Sequence, residues 1–192
     1  MKEKYCFEPS KTEVILNNTI SYTFLKGYFK SYIDEKKVDL SHRVLDYCCG
    51  SGILTYCILN FTKNIDVTFA DISNRWLISS RRKLKFFGSV RSFKINSFEE
   101  LVCGGSYDKI IIHYSLHDFP KHLQGKVLNH ALDNLHCCGS IHIREPINNS
   151  HGFKLYEIID LIEKLKNIKY NYKLSKNIIF GEYIDVDIQY YE

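Results

Sequence analysis

The 192-residue sequence predicts an α/β fold: a seven-stranded sheet of five parallel strands and a C-terminal antiparallel hairpin, with helices on both faces. Three observations carry this expectation. Strand-like and helix-like periodicities alternate along most of the chain, the pattern of consecutive βαβ units. Runs such as Ile110-Ile111-Ile112 lack polar alternation, as strands buried on both faces do. The last two alternating stretches are joined by a link too short for a crossover, so they should pair antiparallel.

The elements follow in order. In residues 1–42, Glu8-Pro9-Ser10 reads as a turn. Asn18 or Thr19 is placed to cap a helix running through Phe24, Tyr28 and Tyr32 toward Asp34. Strands are expected at 43–48, 66–72, 90–95, 107–115 and 139–145. Helices are expected at 52–61, 75–87 and 121–136, with a short turn around 98–101. A last helix, 153–167, has an apolar face at Leu155, Ile158, Ile159, Ile162 and Leu165. Strands at 168–176 and 181–190 close the chain. The length suits a single domain, with residues 1–42 as a helical lid or substrate segment and 43–192 as the core.

Composition narrows the class. The net charge is +4, and the one basic cluster, Arg81-Arg82-Lys83-Leu84-Lys85, reads as a solvated helix face, which argues against a nucleic-acid partner. Most of the fourteen tyrosines and twelve phenylalanines are expected to fill the core. Among seven cysteines, Cys48-Cys49 and Cys137-Cys138 are adjacent pairs and not C-x-x-C hooks. Neighbouring cysteines bridge each other poorly, so a reduced, cytoplasmic setting is expected. No signal peptide and no membrane-length apolar run is visible.

The stretch Val44-Leu45-Asp46-Tyr47-Cys48-Cys49-Gly50-Ser51-Gly52 carries the chemistry. An apolar strand bearing a carboxylate breaks into a glycine turn, and an apolar helix follows at once. Glycine admits a ligand close to the backbone, and the helix N-terminus offers free N–H groups. A dinucleotide fingerprint would put a third glycine where Thr55 stands. Asp46 would repel a pyrophosphate but suit a cationic amine. S-adenosylmethionine (SAM) has an ammonium, a sulfonium and no phosphate.

The segment resembles motif I of the class I SAM-dependent methyltransferases, D/E-x-G-x-G-x-G, with Asp46, Gly50 and Gly52 matching and Cys48 at the first glycine position. The resemblance implies a Rossmann-like methyltransferase core over 43–192 with SAM as cofactor. It implies that Asp71 accepts the ribose hydroxyls and that Ile72 packs on the adenine. Alternatively, Asp71 caps the helix beginning near Asn74. Asn96 and Ser97 match the positions that contact the adenine amino group, or else form a turn.

The stretch from Asp108 through His117 is similar to the fourth-strand exit of small-molecule, quinone-biosynthesis-like methyltransferases, placing His113, Tyr114 and His117 near donor and acceptor. His117 is the first candidate general base and His113 the second, with the methionine end of SAM as an alternative partner for His113. Catalysis by positioning alone is the competing reading. Asp118 either orients His117 or caps the helix at Lys121. His142 reads as a structural histidine, while Arg144 or Glu145 could face the acceptor. His113-x-x-x-His117 spans a strand end with no third ligand, so no metal is expected.

The expected function is in-line methyl transfer from SAM to a small-molecule acceptor. The alternatives are an RNA or protein methyltransferase and a non-catalytic cofactor-binding scaffold. The aromatic set Tyr5, Phe7, Tyr22 and Phe24 either closes over an acceptor or packs the N-terminal helix. A homodimer is left open.

Overall fold

The computed structural model describes residues 8–88, 90–148, 152–178 and 181–191. Its strands are β1 (Arg43–Tyr47), β2 (Asp66–Asp71), β3 (Val90–Lys94), β4 (Tyr107–His113), β5 (Leu135–Pro146), β6 (Ile168–Asn177) and β7 (Gly181–Tyr190). The helices are α1 (Lys11–Phe24), α2 (Lys26–Glu35), α3 (Ile53–Phe61), α4 (Asn74–Leu84), α5 (Lys121–Asp133) and α6 (Leu155–Glu163). The strands form one mixed sheet in the order β3-β2-β1-β4-β5-β7-β6. β1–β2, β2–β3 and β4–β5 pair parallel, and β5–β7 and β6–β7 antiparallel. The predicted fold class is therefore observed. The chain forms two compact units, residues 1–103 and 104–192.

In the first unit, β1 and β2 bury nearly every side chain, with Val44, Leu45, Tyr47, Val67 and Ala70 fully enclosed. That apolar ladder holds Asp46 and Asp71 near the ends of neighbouring parallel strands. The N-terminal helix does not start at Asn18 or Thr19. Ser10 Oγ accepts from Glu13 N at 3.1 Å and Glu13 Oε2 from Ser10 N at 2.6 Å. This reciprocal capping box satisfies two otherwise orphaned donors and starts α1 at Lys11. A break at Leu25 separates α1 from α2, whose Phe29, Tyr32 and Ile33 are buried. Tyr5 and Phe7 lie outside the described residues, and Phe24 is exposed.

In the second unit, β4 is apolar and fully buried at Ile110, Ile111 and Ile112, as expected. α5 stops at Asp133, three residues before the predicted end. Asn134 turns its backbone N–H and side-chain amide back onto the His130 carbonyl, at 3.3 and 2.8 Å, and ends the helix. β5 then begins at Leu135 instead of residue 139. Its pairing with β4 jumps from Leu135↔Tyr107 to Ser140↔Lys109, so residues 136–139 bulge out of the ladder. A Cβ at Gly139 would lie 2.9 Å from the Tyr107 and Asp108 carbonyl oxygens, which leaves room only for glycine at the foot of the bulge. In β7, Ile184, Val186 and Ile188 are fully buried, and the antiparallel register sets Asp185 against Arg144 and Asp187 against His142.

Candidate active site

In the first unit the chain leaves β1 through three left-handed residues, Cys48 (φ 60°), Gly50 (φ 49°) and Gly52 (φ 73°). The left-handed conformation at residue 48 explains why a glycine suits that place in the motif, and here a small cysteine adopts it. The two glycines differ in purpose. A Cβ at Gly52 would lie 2.8 Å from Ser80 Oγ, so this glycine permits the close packing of the turn on α4. At Gly50 no atom lies within 4 Å of the added Cβ, so only its dihedral angle demands glycine.

Both expected carboxylates are buried beside this turn. Asp46 Oδ2 accepts from Thr55 Oγ1 at 2.6 Å and from Thr55 N at 3.2 Å. Thr55 therefore replaces the third glycine of a dinucleotide fingerprint with a hydroxyl that anchors the acid. Burial pushes the Asp46 carboxyl up to about 7 against those hydrogen bonds, and the charge of Asp71 adds to the rise. Asp71 Oδ2 accepts from Gly50 N at 2.9 Å, and its Oδ1 from Ser73 N at 2.8 Å. Burial raises it to about 6, partly offset by the Ser73 and Gly50 N–H bonds.

Asp71 is not the helix cap. Ser73 is, accepting from Trp76 N at 3.1 Å. Glu8 reinforces that terminus from far along the chain. Its carboxylate accepts from Ser73 Oγ at 2.9 Å, Asn74 N at 2.8 Å and Arg75 N at 3.1 Å. Burial is the largest single influence and would raise the Glu8 carboxyl, but these bonds together, with the charge of Lys94, outweigh it and hold Glu8 below the usual carboxylate range.

α1 also touches the glycine turn. Tyr22 Oη and Lys83 Nζ both donate to the Ser51 carbonyl, at 3.2 and 3.3 Å, and Asn18 contacts Ser79 and Lys83. Tyr22 also stacks edge-on with Tyr56 at 5.2 Å. Half-buried Lys83 is pushed down to about 8 by desolvation. Of the remaining cofactor candidates, Ile72 is half-buried, Asn96 is exposed with its amide on the Lys94 carbonyl (3.3 Å), and Ser97 accepts from Glu99 N (3.1 Å).

The second unit holds the histidines. Glu145, fully buried at the end of β5, accepts from Ser115 N (2.9 Å) and Leu116 N (2.7 Å) through Oε1. Its Oε2 meets His117 Nδ1 at 2.6 Å. Glu145, not Asp118, is thus the principal orienter of His117. Asp118 lies 3.4 Å from Nε2 on the other side of the ring. Nor does Asp118 cap α5, whose N-cap is Pro120. Burial alone would lower the His117 pKa, but the Glu145 hydrogen bond and charge, with Asp118, raise it above its ordinary value.

His113 differs. Burial, aided by the Arg144 charge, pushes it down to about 3, so it is neutral at physiological pH. Tyr114 follows with φ 51° and packs edge-on against His113 at 4.7 Å, its N–H donating to the Arg144 carbonyl at 2.8 Å. Arg144 forms a buried bidentate pair with Asp185, both bonds 2.6 Å, and stacks on Tyr183 at 4.5 Å. His142 is paired with Asp187 and contacts Ser140 Oγ at 3.1 Å, the structural role expected of it.

A family model described as "Methyltransferase domain" matches residues 44–139, half of the chain. The chain belongs to the methyltransferase-domain family. No curated protein sequence matches it. Solved structures agree on the fold. A Nostoc punctiforme protein provisionally named an O-methyltransferase superposes with TM-score 0.76 at 13% identity, over 95% of this chain and 62% of that one. This chain thus spans under two thirds of that protein's length. The Synechocystis magnesium protoporphyrin IX methyltransferase with bound SAM gives 0.66 at 14% identity, over 98% and 88% of the two chains. The plantazolicin methyltransferase BamL, in complex with a triazolic desmethylPZN analog and SAH, gives 0.69 at 14% identity, over 96% and 92%.

In this methyltransferase domain, sequence reasoning left open the role of Glu145 and missed Thr55 and Glu8. Glu145 shares strand parity with buried Ile141 and Ile143, which is a readable sign of a buried acid needing donors. Thr55 was visible only as a missing glycine. Glu8 reaches its partners from sixty-five or more residues away, and no local pattern signals such a contact.

Proposed function

We propose that this protein transfers the methyl group of SAM to a small-molecule acceptor by in-line displacement. The observation that carries the reading is the pair of buried carboxylates, Asp46 and Asp71, flanking a glycine turn with open space at Gly50. This pair of acceptors suits a ligand with an ammonium and a vicinal diol and opposes one with a pyrophosphate. Asp71 Oδ2 accepts from Gly50 N and, at 3.9 Å, from Cys49 Sγ, and Oδ1 accepts from Ser73 N, bonds that fix the carboxylate at the strand end. SAM, when bound, supplies an electrophilic methyl on a sulfonium.

The chain's own residues divide the remaining work. Asp46 holds the amino group, Asp71 the ribose, and Ile72, Asn96 and Ser97 the adenine, with Cys48, Gly50 and Gly52 shaping the backbone. His117 is assigned the proton: Glu145 keeps Nδ1 as the donor, so the neutral ring accepts at Nε2. His113, neutral and a weak base, is assigned a hydrogen-bonding role beside Tyr114. The small-molecule class is supported by the modest charge and by the triazolic desmethylPZN analog held in the structure of the plantazolicin methyltransferase BamL.

The test is a screen of small metabolites with methyl-labelled SAM. Transfer to at least one compound, abolished by Asp71→Ala, is expected. Label transferred only to RNA or protein, or to nothing while SAM still binds, would replace this reading with one of its alternatives.

A further inference from the structure

We propose that His136, Cys137 and Cys138 form a surface site for a thiophilic d10 cation such as Zn2+. Among the described residues they are the one group of three or more His, Cys, Asp or Glu side chains whose ligand atoms all lie within 4.8 Å of one another. Adjacent residues of a regular strand point to opposite faces, which would separate the two sulfurs. Here the tripeptide lies in the bulge where β5 leaves the β4 ladder, and Cys137 Sγ and Cys138 Sγ are only 3.7 Å apart. Cys137 Sγ lies 3.9 Å from His136 Nδ1.

These separations match a metal's coordination edges. A cation about 2.3 Å from each sulfur in a tetrahedron sets the sulfurs about 3.8 Å apart, and an imidazole nitrogen at about 2.1 Å falls slightly nearer. Cys137 Sγ lies 3.9 Å from Nε2 as well as from Nδ1, and the long 3.4 Å contact from Cys138 N to Nδ1 gives way when that nitrogen's one in-plane lone pair turns to a metal. All three residues are exposed, so an ion reaches them without unfolding. Gly139, which no side chain can replace without striking the Tyr107 and Asp108 carbonyls, fixes the end of the bulge. Two thiols and an imidazole select zinc and Cu(I) over magnesium or calcium. On binding, each thiol releases a proton and both sulfurs coordinate as thiolates. Three protein ligands leave the fourth position to water or an outside ligand.

The test is titration of the full-length reduced chain with Co2+, followed by Zn2+. Expected is one Co2+ per chain with thiolate-to-cobalt charge-transfer absorption, bleached by stoichiometric Zn2+. The double variant Cys137→Ser/Cys138→Ser loses the band, while His136→Asn weakens Co2+ binding about tenfold. Cys103→Ser, a control outside the cluster, leaves the band unchanged. A band that survives in the double serine variant, or none in the wild type at saturating Co2+, overturns the proposal. SAM binding by each variant should equal wild type, which separates this site from the cofactor assignment.

Discussion

Asp46 sets folding against binding. Its folded pKa, about 7, lies above the unfolded value near 3.9, because burial disfavours the charged form. The folded state therefore holds more protons than the unfolded one between about pH 4 and 7, and this residue's contribution to stability falls as pH rises through that window. Asp46→Asn removes the buried charge and keeps an acceptor for Thr55. It should raise the melting temperature at pH 8 by several degrees, corresponding to a few kcal/mol, while SAM binding is lost. A variant that melts at or below wild type at pH 8 would refute this account of the residue.

His117 shares this direction for a different reason, attraction to Glu145 and not burial. Its folded pKa is raised by Glu145, so the stability it brings is present at low pH and is lost as pH rises through the folded value. In Glu145→Gln the histidine's pKa, followed by NMR titration of its ring protons, should drop below that of wild type. An unchanged titration would mean that the 2.6 Å contact does not govern the ring.

At the scale of single elements, α1 depends on its first turn. Ser10→Ala removes one half of the capping box and should cost about 1 kcal/mol, read as a shift of the denaturation midpoint at constant m-value. The β5–β7 pairing rests on a harsher interaction. Arg144 and Asp185 are both almost fully enclosed, so Asp185→Ala takes the paired carboxylate from a buried guanidinium and should cost roughly 3–5 kcal/mol. Replacing both residues with apolar side chains should recover much of that loss, and a double variant as unstable as the single one would contradict it.

Elements were readable in the sequence where one periodicity ran uninterrupted, as at Ile110–Ile112 or along the face of α6. Their boundaries were less readable. Asn134 ends α5 through tertiary-independent hydrogen bonds that its neighbours' helical pattern concealed. The Ser10–Glu13 box that starts α1 was legible as S-x-x-E but was overshadowed by the turn signal of Pro9.

For the whole molecule, strand alternation and the closing hairpin were sufficient to anticipate the seven-stranded sheet, because burial of apolar strands leaves few arrangements. The candidate site was legible wherever residues sit at strand ends near the chain's glycine turn: Asp46, Gly50, Gly52 and Asp71. It was illegible where distant segments meet, as Glu8 does with α4 and Glu145 with His117, since only folding creates those contacts. A ligand that binds only the folded state should stabilise the whole chain, by about 2.7 kcal/mol at a hundred times its Kd.

The most direct test is calorimetric titration of the full chain with SAM at pH 8 and pH 5.5. Asp46 and Asp71, titrating near 7 and 6, must be ionised to hold a cation and a diol. The account predicts saturable binding at pH 8, at least tenfold weaker at pH 5.5, and absent in Asp71→Ala at both. Equal affinity at the two pH values, or binding that survives in Asp71→Ala, would contradict it.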